Sequence, residues 1–340
     1  MPASPLANPT ATREMLERFG LATKHRLGQN FLVDDHVIAH ILDLARLDEG
    51  SHVVEVGPGI GTLTLGMLPH AGSVVSIEAD RTLEPVLADL AHEFPSFAYV
   101  MGDALKVGWE DVCAAGAGER GAEEGDAAEK EGAAENRTEQ ADGVSENRTE
   151  PNILVANLPY NVAATIILKY LAEHPSLAAA VVMVQAEVAD RICAAPGSKA
   201  YGAYTAKLNL YGRVTGRFEV PPTCFMPAPH VNSAVVRIDR AGVTDPETGE
   251  TLTPGQLAAT AVVTDAAFAQ RRKTIRNSMA ARGFEKAALD AAFVEASVSP
   301  TARAETLACE DFVRLAAALG RADAIPADLP VRFSAGGAAR

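Results

Sequence analysis

Glu55-Val56-Gly57-Pro58-Gly59-Ile60-Gly61-Thr62 decides the fold of this 340-residue chain. A β-rich run over 52–56 leads into three glycines at alternate positions, and a helical pattern follows. Glycines at such a junction let the backbone turn sharply and let a ligand come close to the main chain. The spacing is Gly-x-Gly-x-Gly, not the Gly-x-Gly-x-x-Gly of dinucleotide binders. A pyrophosphate needs the helix start kept open to it, whereas a nucleoside does not. The turn by itself is a weak signal, and a nicotinamide dinucleotide site is the alternative.

Working outward, short β-rich runs alternate with helical stretches at 52–56, 73–77, 97–101, 153–156 and 180–184. That alternation predicts a parallel sheet with crossover helices. Two later runs, 208–214 and 234–238, have only a Pro-rich loop between them, which predicts an antiparallel pair at the sheet edge. The expected class is α/β, a Rossmann-like fold with a mostly parallel sheet and a small C-terminal helical domain. Residues 1–22 read as a flexible arm, 23–241 as the sheet domain and 242–255 as a polar linker. Residues 256–320 are Ala-rich with helical periodicity, and 322–340 read as a flexible tail.

Charge misleads unless it is placed. The net charge of −14 argues against a nucleic-acid partner, yet residues 116–151 carry eleven acidic and four basic side chains. Half of the excess therefore sits in a segment too poor in apolar side chains to order itself. We read 114–151 as an acidic disordered insertion. An apolar fraction of 48% is ample for a core, and no apolar run approaches the roughly 20 residues that span a bilayer. The N-terminus lacks a signal-peptide pattern, and four scattered cysteines suit a reducing cytoplasm. No His, Cys or acid spacing calls for a metal.

Three further strand ends complete a candidate site. Glu78 stands 21 residues after Gly57, where a carboxylate accepts from ribose hydroxyls. Asp103 follows the third run and is placed to accept from an adenine amine. Asn157-Leu158-Pro159-Tyr160 follows the fourth. An adenine N6 amine is a poor nucleophile because its lone pair is delocalised into the ring. The Asn157 oxygen and a nearby carbonyl would accept both amine hydrogens and aim that lone pair, while Tyr160 stacks on the base. No strong base is required. Alone, the tetrapeptide reads equally well as a strand ending in a proline turn, and Glu78 as a solvated acid. The ordered set points to S-adenosylmethionine as cofactor.

Gly28-Gln29-Asn30-Phe31-Leu32, the 54–59 motif, Asn157-Leu158-Pro159-Tyr160-Asn161, Phe225-Met226-Pro227-Ala228-Pro229 and the 270–277 motif resemble the bacterial 16S rRNA adenine N6,N6-dimethyltransferases. The resemblance covers about residues 23–320 without the insertion. It implies an S-adenosylmethionine-dependent methyltransferase fold and transfer of methyls to N6 of two adjacent adenosines in the 3′-terminal hairpin of 16S rRNA. It implies cofactor contacts from Asn30, Leu32, Gly57, Gly59, Glu78, Asp103 and Asn157. Around the target base it implies Asn157, Leu158, Pro159 and Tyr160, with Phe225 closing the opposite face. A monomeric cytoplasmic enzyme acting on 16S rRNA or the immature 30S subunit is the expectation. Where the family commonly has Lys-Val-Asp-Ser, this chain has His230-Val231-Asn232-Ser233, so one positive charge is weakened and one carboxylate neutralised.

RNA needs cationic contacts to phosphate. Arg271, Arg272, Lys273 and Arg276 form one basic cluster, read at helical spacing, and Lys24, His25 and Arg26 form a second. Either alone is a solvated face, but two clusters flanking a base site favour RNA. Competing readings are a methylase of large-subunit rRNA and an assembly factor without essential catalysis.

Overall fold

The computed structural model describes residues 2–21, 30–117 and 150–333. In chain order the first half holds α1 (Pro9–Arg18), β1 (Phe31–Leu32), α2 (Asp35–Ala45), β2 (His52–Val56), α3 (Thr62–Met67), β3 (Ser73–Glu78), α4 (Glu84–Glu93), β4 (Phe97–Met101) and α5 (Trp109–Gly116). From residue 150 onward come β5 (Ile153–Asn157), α6 (Ala163–Glu173), β6 (Ala179–Gln185), α7 (Ala186–Ile192), α8 (Ala203–Leu208), β7 (Gly212–Val220), β8 (Phe225–Met226) and β9 (Ser233–Arg240). Four helices close the chain: α9 (Pro254–Phe268), α10 (Ile275–Ala280), α11 (Lys286–Glu295) and α12 (Cys309–Arg321).

Seven strands form one sheet in the order β4-β3-β2-β5-β6-β9-β7. The first five in that order are parallel; β9 runs antiparallel to β6, and β7 antiparallel to β9. Its parallel strands are nearly all apolar because helices cover both faces. Alternation sends Val54, Leu154 and Val182 to one core, shared with α6, and Val53, Val155 and Val181 to the other, shared with α2 to α4. A third core joins α9 to α12 around Phe293, Phe312 and Leu319, with Tyr201 and Ala206 packed into it from the sheet side.

Strand order reverses between β2 and β5, and ligands of open α/β sheets bind beyond such a reversal. Register explains the opening. β2 pairs with β3 from His52↔Ser73 to Val56↔Ile77, but with β5 only at Val53↔Ile153 and Val54↔Leu154. Past Val54 the two strands part, and the 57–61 turn and the 157–160 tetrapeptide stand on either side of the gap.

Several sequence expectations are corrected. The arm over 1–22 is no loose segment where it is described. Asn8 caps α1 by accepting from the Ala11 N–H (2.8 Å), and Leu6, Ala7 and Leu16 are buried against α2, α3 and α4. Those few apolar residues suffice because they meet an exposed flank of the sheet domain. The 242–255 stretch is a folded turn, since Val243 and Leu252 are buried and Asp245 accepts from the Glu247 N–H (2.8 Å). The tail also packs. Ile325 and Leu329 lie on the helical core, while Val331 and Phe333 lie on the sheet core. Buried Lys207 pairs with Asp265 (2.8 Å) and donates to the Arg332 carbonyl, which fastens the tail across α8 and α9. The run expected over 208–214 divides differently: α8 ends at Leu208 and β7 begins at Gly212. Leu210 and Tyr211 are apolar because they pack in the connecting turn, not in a strand. The insertion's residues 118–149 lie outside the described residues, but its first positions continue α5, and Glu150 accepts from the Trp109 indole N–H (2.9 Å).

Candidate active site

Gly57, Gly59 and Gly61 all adopt the left-handed backbone, with φ of 72°, 61° and 87°. Any other residue would be strained there. Space adds a second demand, because a Cβ on Gly61 would lie 2.5 Å from Leu90 Cδ1 and one on Gly59 would lie 3.2 Å from the Phe31 ring. The Gly57 N–H donates to the Ile77 carbonyl (2.9 Å), so the turn crosses from β2 towards β3. Its other flank meets the tetrapeptide, where a Gly57 Cβ would touch Pro159 at 3.7 Å.

Two buried carboxylates back this turn. Glu78 ends β3 and accepts from the Gly59 N–H (3.3 Å) and the Asp80 N–H (2.8 Å). Burial raises its pKa, and those two N–H groups partly offset the rise. Glu55, 1% exposed, accepts from the Thr64 and Ser76 hydroxyls at 2.6 Å each. Burial pushes it up to about 7, the two hydroxyls pull it back, and the Glu78 charge adds to the rise. Asp103 is different: its side chain is 48% exposed, accepts from the Leu105 N–H (3.0 Å) and pairs with Lys106 at 3.5 Å. Its loop is braced from behind by the Tyr170 hydroxyl, which donates to the Ala104 carbonyl (3.1 Å).

On the other wall, the Asn157 amide group donates to the Asn30 carbonyl at 3.4 Å. A carbonyl only accepts, so that contact fixes the amide NH2 there and leaves Asn157 Oδ1 as an acceptor. Tyr160 is half-buried, and its hydroxyl shares a 2.7 Å hydrogen bond with Ser233 at the start of β9. Burial raises the Tyr160 pKa and the Ser233 bond partly counters it, so the ring stays a neutral phenol. β1 pairs antiparallel with β8, Phe31 opposite Met226 and Leu32 opposite Phe225, which straps the Asn30 segment over the gap.

Between these walls lies a cavity of about 590 Å³, within the usual small-molecule range. Asn30, Leu32, Gly57, Gly59, Glu78, Asp103, Asn157, Leu158, Pro159 and Tyr160 all line it. Phe225 does not. It is buried in the core on β8, opposite Leu32 of β1, so it belongs to the strap and is not among the cavity-lining residues. Ser233 was missed by sequence reasoning as the partner of Tyr160. The available signal was that Ser233 and Val231 keep the family pattern there while His230 and Asn232 depart from it.

The basic residues are less tightly gathered. Arg271, Arg272 and Lys273 sit on a turn between α9 and α10, not at helical spacing, because α9 ends at Phe268. All three are exposed. Arg276 opens α10 and is engaged by both Asp290 oxygens (2.5 and 2.7 Å). Lys24, His25 and Arg26 lie outside the described residues. Among the described residues no cluster of His, Cys, Asp or Glu could hold a metal, and no helix is long and apolar enough to cross a membrane.

The family model "Ribosomal RNA adenine dimethylase" matches residues 20–320. The chain belongs to this family. It is 38% identical to the ribosomal RNA small subunit methyltransferase A of Cutibacterium acnes, over 94% of this chain and 96% of that one. It is 35% identical to the protein of the same description from Corynebacterium glutamicum, over 94% and 97%. In structure it resembles a dimethyladenosine transferase from Plasmodium falciparum, with TM-score 0.63 and 21% identity over 86% of this chain and 98% of that one, a likeness of fold.

The enzyme is therefore an S-adenosylmethionine-dependent rRNA adenine dimethyltransferase, with the Rossmann-like methyltransferase fold expected from its sequence. The cavity suits its cofactor: a glycine cradle without Cβ atoms, acceptors at Glu78 and Asp103 for hydroxyl and amine hydrogens, and room beside Asn157. When bound, the cofactor supplies an electrophilic methyl on a sulfonium.

Proposed function

We propose that this enzyme dimethylates N6 of two adjacent adenosines in the 3′-terminal hairpin loop of 16S rRNA, acting as a cytoplasmic monomer on the immature 30S subunit. Asn157 carries the reading. Its NH2 is occupied by Asn30, so its oxygen is free to accept one hydrogen of the target amine at the edge of the cavity. A main-chain carbonyl of the tetrapeptide accepts the other, and the nitrogen lone pair then points into the cavity. Tyr160, tethered by Ser233, offers its ring to the flipped base. Glu78 takes the cofactor ribose and Asp103 its adenine amine, with Asn30, Leu32, Gly57 and Gly59 completing that pocket. Leu158 and Pro159 set the height of the wall, and Phe225 holds β1 in place from the paired strand β8.

Phosphate contacts come from Arg271, Arg272 and Lys273 on their turn, with Arg276 and the Lys24–Arg26 stretch as further candidates. The helices over 256–320 thereby serve as the RNA-binding domain. Choice of the small subunit is supported by the description of the curated relatives. Purified small and large subunits, methylated separately with labelled cofactor, test this. Label is expected in 16S rRNA; label in 23S rRNA alone would overturn the assignment.

A further inference from the structure

Thr62 is the first residue of α3 and lines the cavity directly after the third glycine. Its hydroxyl is buried and has no hydrogen-bond partner among the described residues. Every other buried threonine among the described residues is satisfied. Thr12 donates to the Leu6 carbonyl, Thr64 to Glu55, and Thr205 to the Arg191 carbonyl. Thr260 and Thr264 donate to the Gln256 and Thr260 carbonyls, the usual resort of a threonine within a helix. Leaving a buried hydroxyl unpaired costs free energy, so an orphan at a cavity wall marks where a ligand completes the bond.

Thr62 is also held in place. The buried Ser4 hydroxyl donates to the Thr62 carbonyl at 2.6 Å, and the Ser4 N–H donates to Asp35 at 3.0 Å. The N-terminal segment thus clamps the start of α3 while the threonine hydroxyl itself remains unpartnered.

We infer that the Thr62 hydroxyl is a cofactor-binding group that hydrogen-bonds S-adenosylmethionine directly, positioned by the docked N-terminal segment. The inference rests on reading the cavity as the cofactor site. It has a distinctive consequence: the hydroxyl weakens the ligand-free fold and strengthens the complex. Thr62→Val keeps the shape and removes only the hydroxyl; Thr62→Ser keeps the hydroxyl.

Titration calorimetry with S-adenosylhomocysteine tests it without turnover, alongside thermal unfolding of the free protein and Glu78→Ala as the control for the cavity. Thr62→Val is expected to bind about 5-fold or more weakly, with a melting temperature at or above that of the wild type. Thr62→Ser is expected to bind within about 2-fold of the wild type, since the bond is retained. If Thr62→Val binds as the wild type does while Glu78→Ala is weakened, the Thr62 role is wrong and the cavity reading stands. If Glu78→Ala also binds normally, the cavity reading itself fails. Weaker binding by Thr62→Val together with a lowered melting temperature would mean a packing role, and would equally overturn the inference.

Discussion

On the 57–61 wall of the cavity almost every fixed feature is local or lies between neighbouring strands, whereas the 157–160 wall is held by side chains from far along the chain. Gly57, Gly59 and Gly61 take positive φ by their own nature, and Glu78 is tied to Gly59 and to Asp80 two residues on. Asn157 instead relies on Asn30, 127 residues away, and Tyr160 on Ser233, 73 residues away. The 57–61 wall is thus built from adjoining strands of the sheet. The 157–160 wall also needs the segment before β1 and the start of β9 in place.

The largest effect expected on the local wall is a pH effect on stability. Glu55 is raised from 4.5 to about 7 in the fold. As pH rises between these values the unfolded chain loses this proton and the folded chain keeps it, so stability falls. The contribution is fully present below about 4.5 and is lost as pH passes through 7, amounting to about 3 kcal/mol. Glu55→Gln still accepts from Thr64 and Ser76 but cannot ionise. Urea unfolding from pH 4.5 to 7.5 should show the variant gaining on the wild type as pH rises; parallel curves would refute the assignment.

Next is the distant wall. Asn157→Ala should lower methyl transfer by about 100-fold through lost orientation of the amine, while S-adenosylhomocysteine binding stays within a few-fold. Equal losses in both would dissolve the distinction between the walls. Gly61→Ala tests the local wall by strain: with φ at 87° and Leu90 in the way, it should cost about 1–3 kcal/mol in thermal unfolding. A mild effect confined to RNA turnover would contradict it.

Smaller still is the Tyr160 tether. Tyr160→Phe keeps the stacking ring and loses the bond to Ser233, which should lower kcat/KM for RNA by about 5-fold, near 1 kcal/mol. Ser233→Ala should do the same, and the double variant no more than either alone. Additive losses would show that the two side chains act separately. Replacing Arg271, Arg272 and Lys273 together should reduce the salt dependence of RNA binding by a log–log slope of about 2–3, with no change in cofactor affinity.

Legibility in the sequence follows the same division. The parallel strands, the glycine turn and the strand-end Glu78, Asp103 and Asn157 could be placed because period and spacing encode them within a few residues. The β1–β8 strap could not, since two-residue strands carry no periodicity and their partners lie in separate loops. Docking of the N-terminal segment could not be read either, since the burial of Leu6, Ala7 and Leu16 depends on a surface that exists only once the sheet domain is assembled. The turn carrying Arg271 read as helix because its charges fit helical spacing, yet α9 stops at Phe268 and α10 restarts at Ile275. Phe225 looked like a site residue from its motif and proved to be core, a difference set by β8 pairing and invisible in the motif itself.

Mass mapping of 16S rRNA tests the central claim most directly. Small subunits lacking these methyl groups would be incubated with cofactor and either the wild-type enzyme or Asn157→Ala. The expected result is two adjacent N6,N6-dimethyladenosines in the 3′-terminal hairpin with the wild type, and little or no modification there with the variant. Methylation absent from that hairpin, or full dimethylation by Asn157→Ala, would contradict the role given to the 157–160 wall.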